Sequence, residues 1–76
     1  MANWRQVTTV NGEQKYETRI LTADEMVDRL GQILLMIQSG NNYTIERELN
    51  DMDERVKYIF TKQIDGKEVV NTFTKI

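Results

Sequence analysis

Only one stretch of this chain carries a helical pattern, and that limits the folds open to it. Thr22-Ala23-Asp24-Glu25 reads as a capping box, with the Thr22 hydroxyl serving the amide of Glu25 and the Glu25 carboxylate reaching back to that of Thr22. Leu21 and Met26 stand at the two positions of a hydrophobic staple, and Ser39-Gly40 supplies a left-handed stop. Between these signals Met26, Val27, Leu30, Ile33, Leu34 and Ile37 recur at helical spacing, which predicts a helix from Ala23 to about Ser39 with one buried stripe.

Everything else reads as strand. Asn11-Gly12 and Asp65-Gly66 lie between β-rich flanks, the pattern of two-residue turns that need positive φ at both positions. Strands are expected near 4–10, 13–20, 42–49, 55–64 and 67–75, in the order β-β-α-β-β-β. The fold class is α+β, one helix packed on a five-stranded antiparallel sheet, and residues 1–76 form a single small domain. Two strand orders satisfy the connections, 2-1-5-4-3 and 2-1-3-4-5, counting strands along the chain. Tyr43, Ile45 and Leu49 alternate with Thr44, Glu46 and Glu48, with Arg47 interrupting the buried parity, while Val56, Tyr58, Phe60 and Ile64 share a face with Val69 and Phe73.

One helix is too narrow for such a sheet. Five strands about 4.8 Å apart span about 20 Å, whereas a helix with its side chains is about 10–12 Å across. The chain has no cysteine for a disulfide or thiolate metal site, so a second copy is expected to supply the missing cover and the protein to act as a homodimer. Leu35 fits that expectation, because it projects about 140° from the centre of the helical stripe, beside Gly31. Trp4 fits it too. A two-residue turn at Asn11-Gly12 pairs Trp4 with Arg19 and sets both, with Val10 and Lys15, opposite a face of Val7, Tyr16 and Ile20. The single tryptophan would then lie outside with Arg19 free to stack on it, unless a bulge near residues 5–6 turns it inward. Trp4, Arg19, Leu35 and Met52 are therefore the candidate partner-binding residues.

Several chemistries are missing. Without His or Cys there is no ordinary general base near neutral pH, no imidazole or thiolate metal ligand and no activated thiol. The only serine, Ser39, sits at a helix end, and the glycines at 12, 31, 40 and 66 form no phosphate cradle. Asp51, Asp53 and Glu54 lack the glycine and the closing glutamate of a calcium loop. No enzyme activity, cofactor or metal is expected. The longest apolar run, Ile33 to Ile37, is far short of a membrane span, and after Met1 the polar Asn3-Trp4-Arg5-Gln6 is unlike a secretory signal, so a complete, cytoplasmic protein is expected. The Asn42-Tyr43-Thr44 sequon then carries no weight.

Ten basic and twelve acidic residues give a net charge of -2, and the basic ones are dispersed, which argues against direct nucleic-acid binding. Glu46, Glu48, Asp51, Asp53 and Glu54 concentrate the acid, with Glu46 and Glu48 about 6.6 Å apart along one strand face, a spacing that could imitate successive phosphates. In general character the chain resembles small accessory or phage proteins, with no motif behind the likeness. The sequence thus points to a non-catalytic protein-binding or regulatory module. Its rivals are an acidic inhibitor of a nucleic-acid enzyme, and a small-ligand binder whose pocket, between helix and sheet, is lined by Tyr16, Tyr43 or Tyr58.

Overall fold

The computed structural model describes residues 3–40 and 42–76; Met1, Ala2 and Asn41 fall outside them. Its elements are β1 (Trp4–Val10), β2 (Glu13–Gln14), β3 (Arg19–Leu21), α1 (Ala23–Gln38), β4 (Tyr43–Leu49), β5 (Arg55–Ile64) and β6 (Lys67–Lys75). They form one helix on an antiparallel sheet of order β2-β1-β6-β5-β4, with β3 also paired to β1. This is the first of the two expected orders, with β1 and β6 at the centre of the sheet.

Local chemistry explains the element ends. Thr22 Oγ1 accepts from the Glu25 amide at 3.2 Å and Glu25 Oε1 from the Thr22 amide at 3.1 Å, closing the capping box. At the other end the Ser39 hydroxyl donates to the Leu35 carbonyl, and Gly40 leaves the helix at φ +95. Asn11 and Gly12 sit at φ 52 and 85, and Asp65 and Gly66 at φ 50 and 76, the left-handed pairs that tight hairpins require. Asn11 does more than turn the chain. Its carboxamide oxygen accepts from the Glu68 amide at 2.9 Å and its own amide donates to the Glu68 carbonyl, which ties the first hairpin to β6.

Cross-strand register places Trp4, Gln6, Thr8 and Val10 on the same face as Phe73, Phe60, Tyr58 and Tyr43, and this is the face that meets α1. The core is small: Leu21, Met26, Ile33, Phe60 and Phe73 are buried, and Trp4, Leu30, Ile37, Tyr43 and Tyr58 pack around them. An aromatic row holds it together, with ring centroids 5.7 Å apart for Trp4 and Tyr58, 6.0 Å for Tyr58 and Phe60, and 5.8 Å, edge to face, for Phe60 and Phe73.

Three expectations need correction. The strand expected near 13–20 is two pieces, because residues 15–18 leave the ladder; the partner of Gln6 becomes Arg19, and that of Trp4 becomes Leu21 rather than Arg19. Trp4 and Arg19 do share a face, but it is the helix side. Phe73, opposite Gln6, fixes the inward parity of β1, so Trp4 is half-buried without any bulge in β1, while Tyr16 and Ile20 are exposed. Finally, the helical stripe is narrower than its pattern suggested, for Val27 and Leu34 remain 67% and 54% exposed.

Phe73 is fully enclosed at the meeting point of helix and sheet. Phe73→Ala should therefore cost about 3–5 kcal/mol in urea unfolding, a large share of the stability of so small a domain, whereas Tyr16→Ala should stay within about 0.5 kcal/mol.

Candidate functional site

A helix this narrow leaves two uncovered flanks on its own side of the sheet, and they differ chemically. Over β1 the flank is polar. Gln6, Thr8 and Asn71 occupy inward positions where apolar side chains would be expected, next to Phe73. Thr8 Oγ1 donates to Asn71 Oδ1 at 2.6 Å and Gln6 Nε2 donates to the same oxygen at 3.3 Å. The remaining polar atom of Gln6, its Oε1, is buried and has no hydrogen-bond donor.

Above these residues opens a cavity of about 500 Å³. Gln6 and Thr8 form its floor, Arg19 of β3 and Arg29 of α1 line its sides, and Tyr16, Glu17 and Thr18 close it from the segment that leaves the ladder. That segment is anchored: Gln14 Nε2 donates to the Tyr16 carbonyl and to Thr18 Oγ1, both at 3.0 Å. The break in the second strand thus has a structural result, since it lifts residues 15–18 off β1 and makes a wall of them. Neither arginine is in an ion pair among the described residues.

The opposite flank is apolar. Leu30, Leu34, Ile45, Tyr58 and Phe60 line a groove of about 220 Å³ between α1 and β4–β5, with Arg47 and Arg55 at its rim. Arg55 Nη1 donates to the Tyr58 hydroxyl at 3.4 Å. Leu34 is also shared with a shallower concavity on the outward side of α1, which includes Val27, Gly31 and Leu35. A Cβ built on Gly31 would meet nothing within 4 Å, so the glycine leaves an open dent in the helix surface.

The four partner-binding candidates are dispersed. Trp4 extends the core, Arg19 lines the polar cavity, Leu35 stands on the outward side of α1 at 64% exposure, and Met52 projects from the β4–β5 turn at 78%. Only Leu35 lies on an apolar surface shared with other exposed apolar side chains. The acidic candidates also separate. Glu46 and Glu48 lie on the sheet face away from the helix, where Glu48 is opposite Lys57. Asp51 and Asp53 belong to a turn built by Asn50, whose Oδ1 accepts from the Met52 and Glu54 amides at 2.9 and 3.0 Å. The Glu54 carboxylate pairs with Lys75 at 3.4 Å. Among the described residues no group of acidic side chains is placed to hold a metal ion, and no helix is long and apolar enough to cross a membrane.

Sequence reasoning passed over Gln6, Thr8, Asn71 and Arg29. The available signal was the polar middle of Trp4-x-Gln6-x-Thr8-x-Val10, which reads as a wet face until β1 is known to pair with β6 on its other side. No protein-family model, curated protein or solved structure matches the chain.

A buried acceptor without a donor is a local cost to the fold. Gln6→Leu should accordingly be neutral or raise stability by up to about 2 kcal/mol in denaturant unfolding. A loss larger than about 1 kcal/mol would show instead that the Gln6–Asn71 contact holds the sheet centre together.

Proposed function

We propose that this protein is a non-catalytic binding module that acts as a homodimer through the apolar flank and outward side of α1. The observation that carries this is the run of exposed apolar side chains around an open glycine: Val27, Leu34 and Leu35 about Gly31. Val27 and Leu35 stand four residues before and after Gly31, so two antiparallel copies of α1 crossing there would set Val27 against the partner's Leu35. Such a pattern is self-complementary, as a two-fold contact demands. The glycine permits close approach of the two helices. Charges of both signs border the same surface, Asp28 on the helix and Arg47 and Arg55 at the groove, and none of the three is in an ion pair among the described residues.

A non-catalytic role is supported by the lack of histidine and cysteine, and a cytoplasmic location by the cysteine-free composition. The acidic-inhibitor reading draws less support, because Glu46 and Glu48 face away from Glu54 and its Lys75 partner.

Sedimentation equilibrium should give twice the 9.0 kDa chain mass, with Leu35→Glu returning it to one chain without loss of secondary structure. Gly31→Ala should separate association from stability: it adds about 1 kcal/mol of helix propensity to the monomer while filling the dent, so the dimer weakens as the fold strengthens. A species of 9.0 kDa at every concentration would overturn the proposal.

A further inference from the structure

The polar cavity on the other flank has a lining that asks for a particular kind of guest. Arg19 and Arg29 converge on it from a strand and from the helix, and neither has a carboxylate partner among the described residues. Guanidinium groups without partners favour a carboxylate, which can accept from both forks. A simple anion would leave another group unserved. Glu17 lines the same space and is likewise in no ion pair among the described residues. Its carboxylate calls for a cationic N–H group close to the anion. The Thr18 hydroxyl can donate beside the anion, and the Thr8 hydroxyl, whose proton goes to Asn71, can still accept.

We infer that this cavity binds a small zwitterion, a free α-amino acid, with its carboxylate on Arg19 and Arg29 and its ammonium on Glu17. The volume of about 500 Å³ lies within the range of small-molecule sites, and a guest would seat on a floor already formed by the sheet. The guest explains why Gln6 and Thr8 take inward positions that apolar residues could fill: they make a polar floor, and Asn71 holds both of them in place. It also accounts for the strand break at residues 15–18, held open by Gln14, which supplies the wall containing Glu17. The cavity shares no lining residue with the groove or the dent on the other flank, so this inference stands apart from dimer formation.

The test is an amide NMR titration of the full chain with each of the common free L-amino acids in turn, followed by the best one's deaminated and decarboxylated analogues and by inorganic phosphate. At least one amino acid should shift the amides of Gln6, Thr8, residues 16–19 and Arg29 saturably, and both truncated analogues should bind more weakly. Arg19→Gln and Arg29→Gln should each weaken the amino acid about tenfold, the loss of one charge-assisted contact. Glu17→Gln should weaken the amino acid while strengthening its deaminated analogue, an opposite response that misfolding could not produce. Unshifted amides elsewhere in each variant's spectrum verify its fold. Saturation by no amino acid, or phosphate or the deaminated acid binding at least as tightly as the intact amino acid, would overturn the inference.

Discussion

The structure depends on the seat of one helix on Phe60 and Phe73. These two rings, touching edge to face, are buried beneath α1, with Met26 and Ile33 above and Leu21 at the helix entrance. Where the helix sits is fixed from both directions. The capping box and staple set its start and the angle at which it leaves β3, and the inward parity of β6 sets the ring beneath it. A helix about 10–12 Å wide can shelter two or three strands, and the rest of that face must be solved in other ways.

The protein solves it differently on each side. Over β1 it replaces apolar side chains with Gln6, Thr8 and Asn71, which are compatible with water at the cost of weaker packing. Over β4 it keeps Ile45, Leu34 and Tyr58, with arginines as a rim. The outer strand on that side, β4, is exposed at every residue but Tyr43, and Glu46 and Glu48 on its far face discourage edge-to-edge pairing with another sheet. Polarity thus differs across the helix axis, with a polar floor at Gln6 and Thr8 on one side and an apolar groove between α1 and β4–β5 on the other.

Much of this was legible in the sequence. The helix limits, both left-handed hairpin turns, the antiparallel sheet and the shared face of Tyr58, Phe60 and Phe73 follow from local chemistry and from period-two patterning, which are short-range signals. The inward face of β1 was not legible, because a strand with Trp4 and Val10 on one side and Val7 on the other has no dominant apolar face; the pairing with β6, more than sixty residues away, decides it. The strand break was hidden for a related reason. Lys15-Tyr16-Glu17-Thr18 alternates as a strand should, and only the two-residue offset between the Gln14 and Arg19 registers shows that it has left the sheet. Hence the sequence pointed to Arg19 as a stacking partner for Trp4, and the polar cavity that Arg19 lines came into view only with the register.

The tie between Asn11 and Glu68, together with the full-length ladder of β1 on β6, makes the middle of the sheet a junction of segments distant along the chain. Closing a loop of that length carries an entropic barrier before any contact repays it. On a ribosome the first hairpin and the helix would emerge with no sheet centre to pack on, and the aromatic row would stay open until β6 arrived to join β1 to β5. Such a molecule is all-or-none in time as well as in energy, and shortening it from the β6 side would remove the keel rather than trim an edge.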